Sequence, residues 1–319
     1  MSNNKEHKKH HYVPQCYLKL FGHSNGKVKS EKFFLYVYNK DKDKQYPKST
    51  EDVCYENSLY LLSDKYIDKL SDKAVTELYI ECDYFANYVE NNLEVILSEI
   101  QRRKEICISK NAITFQMFNN DKYLLAEQII IQYLRHPNVR KDILSFNYDI
   151  TTKALRLFKY GLSKELNNPD INKLKLDVKQ FEVETHASYS FLNDKLVDKL
   201  ATKLASDNWC FAYSPKNEIC TSDNPIVCLG KTFDGKLSNC ELDLNVKLVI
   251  YALSSDLLLL IFDKNSFNSS DSIFGEITEY CLDMYHNILF ENSNFIFCYN
   301  NEFEYFKKLN DGKTKNEKS

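Results

Sequence analysis

The chain has 319 residues, 43% of them apolar and 13% aromatic, enough to close a large core without covalent staples. Its 42 Lys and Arg nearly balance 45 Asp and Glu, and a formal charge of −3 excludes a surface positive enough for tight, unspecific nucleic-acid binding, though not a local basic groove. The longest strongly apolar run, Leu257 to Phe262, is far shorter than the roughly 20 residues of a membrane span, and no apolar leader opens the chain, so a cytoplasmic protein outside the membrane is expected. Ten cysteines stand far apart with no CxxC and read as reduced, mostly buried thiols. Cys210, Cys220 and Cys228 fall near one predicted sheet, but not at the spacing of a zinc ribbon.

Lys5, Lys8 and Lys9 make residues 1–10 a basic, mobile tail, and Lys313, Lys315 and Lys318 do the same for 310–319. Between them we expect a single domain over 11–309. Pro14 suits a first helical turn and Gly22 a stop, so a short helix is predicted over Pro14 to Phe21, with Tyr17, Leu18 and Phe21 inward. Phe33 to Tyr38 alternates as a strand, with Asn39 to Lys44 as its turn and Ser58 to Leu62 as its partner. From about 65 to 205 the apolar period becomes helical. Leu78, Cys82, Phe85, Val89, Leu93, Ile96 and Ile100 form one stripe, and helices follow at Tyr123 to Leu134, Leu144 to Leu162 and Phe181 to Ala205. Over 206–300 the pattern turns to strands: Trp209 to Tyr213, Glu218 to Thr221, Pro225 to Leu229, Val246 to Leu253 and Asp256 to Phe262, with a hairpin at Ser254-Ser255. A helix near Ile277 to Phe290, a strand at Phe295 to Tyr299 and a helical stretch from Phe303 to Leu309 complete the chain. This order predicts an α+β fold: a long helical middle region packed with a mainly antiparallel C-terminal sheet and a small N-terminal β element.

Three polar segments carry the candidate chemistry. His10-His11-Tyr12-Val13-Pro14-Gln15 supplies two histidines, the side chain best suited to proton transfer at neutral pH, ahead of a helix N-terminus. In an extended segment adjacent side chains point to opposite faces, so one should enter a site, His11 by its nearness to the Pro14 corner, while the other is solvated. HHxxP also resembles the first half of an HNH nuclease motif, but the later Asn and His of that motif do not follow. Thr221-Ser222-Asp223-Asn224-Pro225 places Asp223 in a turn between strands, where it can hold a metal, orient a base or bond the turn backbone. Gln132 and Arg135 share a helical face, and Pro137 ends that helix, so the guanidinium can clamp a carboxylate or phosphate or pair with a core-facing acid such as Glu81 or Asp223. His136 reads as a surface residue. Glu77 and Glu81, one turn apart beside the apolar stripe, can both face a shared cavity, Glu81 reaching further inside.

The chain resembles a large, mostly bacterial family of unknown function, DUF4238, whose members open with an HHYVPQ-type motif running into a YLK-x-F helix, matched here by His10 to Phe21. The resemblance continues through a Q-x-x-R-x-P segment, Gln132, Arg135 and Pro137, and a late SDNP segment after a Trp-containing strand, Ser222 to Pro225 after Trp209. It covers essentially the whole chain, with Cys16 and His136 as departures, and carries no established activity. It implies that His11, Gln15, Gln132, Arg135, Asp223 and Asn224 belong to one pattern and meet in one pocket. The expected function is metal-assisted hydrolysis of phosphodiesters in nucleic acid or a phosphorylated small molecule, in a nuclease-like toxin or defence effector. Asp223 and Glu81 would hold a divalent Mg, Mn or Zn ion, His11 would activate water, Arg135 would stabilise phosphate charge, and His10, Gln15, Gln132 and Asn224 would bind or orient. The alternative is a non-catalytic protein that binds an anionic ligand or peptide, with the polar cluster structural.

Overall fold

The computed structural model describes residues 9–26, 32–68, 75–175, 181–232, 234, 236–267 and 272–316. In chain order these form β1 (Lys9–His11), α1 (Gln15–Leu18), β2 (His23–Ser24), β3 (Phe33–Asn39), β4 (Lys44–Ser49), β5 (Tyr55–Asn57) and α2 (Asp64–Ile67). A π-helix (Tyr79–Glu90) then runs without a break into α3 (Asn91–Ser109), followed by β6 (Thr114–Phe115), α4 (Asn119–Leu134), α5 (Pro137–Glu165), α6 (Glu182–Tyr189) and α7 (Asp194–Ser206). The C-terminal part comprises β7 (Asn208–Tyr213), β8 (Thr221–Ser222), β9 (Ile226–Lys231), β10 (Leu237–Asn239), β11 (Leu248–Ser254), β12 (Leu257–Phe262), β13 (Ser272–Glu276), α8 (Glu279–Glu291), β14 (Phe295–Cys298) and α9 (Glu304–Asn316).

The fold is mixed α+β, as the order of elements predicts. The larger sheet has strand order β10-β9-β11-β12-β7-β13-β6, antiparallel throughout except that β13 runs parallel to β7. Its central strands are apolar on both faces, Leu248 to Ser254 being buried at every position, with α4 packed on β9 and the 3₁₀ turn Lys19–Phe21 on β11. A second sheet joins the two ends of the chain. There β3 lies between β4 and β14, and β8 flanks β14.

The partner of β3 departs from expectation. It is the polar, mostly exposed β4 rather than Ser58 to Leu62, and Asp43, at φ 47°, closes their turn while accepting a hydrogen bond from Tyr38 Oη at 2.6 Å. Such an edge strand buries too little to show an apolar pattern. Of Glu218 to Thr221 only Thr221 joins a sheet, together with the following Ser222, and the helix expected over Phe181 to Ala205 is two, α6 and α7, broken where Asn193 caps α7 by accepting from the Leu196 N–H. Neither expected tail has its expected bounds: Lys9 and His10 belong to β1, with the first eight residues outside the described ones, and α9 continues to Asn316.

The cysteines also need correction, since Cys220 and Cys298 form a disulfide; the other eight cysteines form none. The bridge continues the register of β8 and β14, where Ser222 pairs with Ile296 and Thr221 with Phe297, so the next pair out is Cys220 with Cys298. Spacing along the chain does not reveal a partner 78 residues away.

The short helix is as predicted: α1 and the 3₁₀ turn Lys19–Phe21 bury Tyr17, Leu18 and Phe21 completely. Tyr17 stacks on Tyr251 and bonds Thr221 Oγ1 at 2.6 Å, which plugs α1 between the two sheets. At Gly22 a side chain would strike the Phe34 carbonyl, at 2.9 Å from a Cβ placed there, so the helix can stop against β3. This plug brings the His10–Gln15 segment to the C-terminal end of α4.

Candidate functional site

The segment is held by its backbone. β1 pairs with β5 on one edge, and Tyr12 N–H continues that ladder to the Cys54 carbonyl at 2.9 Å. On the other side, Arg135 Nη2 donates to the His11 carbonyl and Gln132 Nε2 donates to the Tyr12 carbonyl at 2.9 Å. Gln132 and Arg135 therefore act on the motif's main chain.

Arg135 is 1% exposed, with its guanidinium 3.2 Å from Glu90 Oε1 and 4.0 Å above the Phe85 ring. It is sealed beneath the site instead of standing free at the end of α4. The π-helix explains how one cation meets both residues. Nine positions are two and a half turns of an α-helix, which would set Glu81 and Glu90 on opposite sides. The wider i→i+5 winding brings Glu81, Phe85 and Glu90, spaced four and five apart, onto one face. The same winding buries Ile80 where an α-helical stripe would bury Cys82.

Both histidines are buried, contrary to the expectation that one is solvated. His10 is 0% exposed, and its Nδ1 accepts the Tyr60 N–H at 3.0 Å and lies 4.0 Å from Glu81 Oε2. His11 stands on the opposite face, with Nε2 3.3 Å from the Glu51 carbonyl and Nδ1 3.4 Å from Gln15 Nε2. Burial, with the nearby Arg135 charge, lowers its pKa to about 4 against the pull of the Glu51 carbonyl, so the imidazole is neutral at pH 7.

These groups open on a cleft of about 740 Å³ whose wall includes His11, Gln15, Glu81 and Glu90, with Glu51 and Glu94 as further carboxylates and Lys9 and Lys19 as cations. Lys9 is anchored by an ion pair with Asp52. Glu81 has the most distinctive state. Burial raises its carboxyl to about 7, with Glu90 adding to the rise, while Arg135 and the His11 N–H oppose it. Its Oε2 is buried without a hydrogen-bond partner, 4.0 Å from His10 Nδ1, while the residue itself forms part of the cleft wall. Glu77, in contrast, is exposed.

The late motif does not line this cleft. Asp223 is 7% exposed, and its Oδ1 accepts the N–H groups of Asn294 and Phe295 at 3.0 and 3.1 Å, fastening the turn between α8 and β14. Asn224 Nδ2 donates to the Asn292 carbonyl at 3.3 Å, and the Ser222 hydroxyl donates to the Asn224 carbonyl at 2.8 Å. The link to the other motifs is His136, expected at the surface but 7% exposed. Its Nε2 donates to the Asp223 carbonyl at 3.1 Å, its Nδ1 accepts the Asn138 N–H at the start of α5, and its ring meets Tyr12 edge-on.

The three motifs thus adjoin one another, the first in the wall of the cleft, the middle one sealed beneath it through Arg135 and Gln132, and the late one linked to the middle through His136. Glu90 is the residue that sequence reasoning missed, because its position facing Arg135 depends on π winding. Among the described residues no group of three or more His, Cys, Asp or Glu side chains is arranged to hold a metal ion. No helix among them is long and apolar enough to cross a membrane. A family model described as "Protein of unknown function (DUF4238)" matches residues 9–302. No curated protein and no solved structure matches the chain.

Proposed function

The chain belongs to the DUF4238 family of proteins of unknown function, and on that premise we propose that it is a hydrolase acting on phosphodiesters, with the cleft between β1 and the π-helix as its active site. The observation that carries this is Glu81, a carboxyl held at about 7 in the wall of a cleft of about 740 Å³. An acid–base group transfers protons best when its pKa is close to ambient pH, and a carboxyl shifted this far at a cleft is a functional candidate. His11, neutral and held between Glu51 and Gln15, positions water or substrate, while Glu81 moves the proton. Arg135 acts from below by holding Glu90 and the His11 carbonyl in place.

Support for a phosphodiester comes from the carboxylates and lysines around one hollow. Glu90 and Glu94 would attract a divalent ion held by one or two carboxylates, water and phosphate oxygens, the mode Mg²⁺ favours, and Lys9 and Lys19 would meet the phosphate. Asp223 is spent on the backbone of its turn and leaves the metal set. We place the protein in the cytoplasm as a toxin or defence effector. The second reading, a binding protein for an anionic ligand or peptide, draws on the same two lysines.

The test is a screen of purified protein against RNA, DNA and generic phosphodiesters with Mg, Mn or Zn. Glu81→Gln is expected to lose on the order of a hundredfold or more in rate while staying folded, and the parent's pH profile should bend near pH 7. Asp223→Asn should keep its rate if folded. Full activity in Glu81→Gln overturns the assignment, and tight binding of an anion without turnover selects the second reading.

A further inference from the structure

The long helix α5 has a face that the cleft does not use. Ser163 is buried and bonds the Asn168 carbonyl and Asn172 beneath the helix. Along another side of the helix Ile143, Phe146, Ile150, Lys153, Leu157 and Tyr160 follow at alternating steps of three and four, the a/d seam of a coiled coil with one polar interruption. Phe146 is 68% exposed, Ile150 49%, Leu157 72% and Tyr160 54%. A monomer rarely leaves so continuous an apolar stripe in water.

We propose that this seam joins two copies of the chain, packed antiparallel across a two-fold axis beside Lys153. Size and charge both favour a second copy. The exposed seam residues each leave on the order of 100 Å² in solvent, so two seams together would remove roughly 1,000 Å², the least that a specific interface needs. Asp149 and Arg156, both exposed, lie seven residues apart on one flank of the seam. Antiparallel packing sets Asp149 of each copy against Arg156 of the other, making the pair twice. It also layers Phe146 on Leu157, Ile143 on Tyr160, and Lys153 on the apolar Ile150. Parallel packing would instead oppose Asp149 to Ala154 and bring the two Lys153 ammonium groups together. The interface is isologous and closed, so it ends at a dimer.

Sedimentation or light scattering on the full chain tests this. The expected mass is twice 37.5 kDa. Asp149→Arg and Arg156→Asp should each weaken the dimer about tenfold, and the double swap should restore it, since opposite charges again face each other. Leu157→Glu, on an exposed position, should give a folded monomer. A parent that is monomeric at about 100 µM, or a dimer indifferent to Leu157→Glu, overturns the interface, and a double swap no tighter than either single change overturns its antiparallel register.

Discussion

Glu81 and Asp223 are both acids beside a structural corner, and what separates them is the supply of donors. Asp223 receives two backbone N–H groups on one oxygen and serves the turn. Glu81 has its Oε2 unpartnered, and burial raises its pKa from 4.5 to about 7. The raised value carries a stability consequence of definite sign. A carboxyl whose folded pKa exceeds its unfolded one is favoured by the fold while protonated, and that contribution is lost as pH rises from about 4.5 through 7. The shift corresponds to at most about 3 kcal/mol, less for the exposed fraction of the side chain. Glu81→Gln, which stays neutral, should therefore match the parent near pH 4.5 and exceed its stability above pH 7.5. Denaturant titrations of both proteins at the two pH values check this, and parallel curves would show that Glu81 ionises freely.

At the scale of elements, the sequence was most legible where one periodicity governs a whole segment. α1 and α4 fall where a helical repeat of apolar positions places them, and β7, β11 and β12 where short, nearly unbroken apolar runs between turn residues do. The π-helix was not legible, because its 12 residues follow a wider period that an α-helical count misreads, and Glu90 was lost with it. β4 was hidden because an exposed edge strand needs no apolar alternation, and the Cys220–Cys298 bridge because it depends on two strands meeting across the fold. That bridge restrains two short strands. Closing a loop with a sequence separation of 78 typically contributes about 2–4 kcal/mol through the unfolded chain. Reductant should lower the calorimetric midpoint of the parent and leave Cys298→Ser unmoved; equal midpoints with and without reductant would mean that the bridge does not form in solution.

For the whole molecule, the dominant titration is set by buried histidines rather than by Glu81. His11, His136, His186 and His286 are all buried, and burial lowers each to about 4 while a backbone carbonyl beside each ring pulls the other way. Three of these rings tie separate parts of the chain: His136 holds the Asp223 carbonyl, His186 the Leu134 carbonyl at 2.8 Å, and His286 the Glu218 carbonyl at 3.1 Å. A base whose folded pKa lies below its unfolded value stabilises the fold fully above the unfolded pKa, here 6.5, and that stability is lost as pH falls towards 4. Each ring is worth about 3 kcal/mol over this range, so four together reach the order of 10 kcal/mol, comparable with the whole stability of a domain. Glu81 works in the opposite direction across much of the same window, one group against four, and cannot offset them. The protein should lose stability steeply between pH 6.5 and 4 and unfold before most of its carboxylates are protonated. Denaturant midpoints measured across that interval test this, with His186→Gln expected to flatten the slope by about one proton's worth. A midpoint constant down to pH 4.5 would show that the rings accept protons without leaving their carbonyls, and that the three ties are not what the fold depends on.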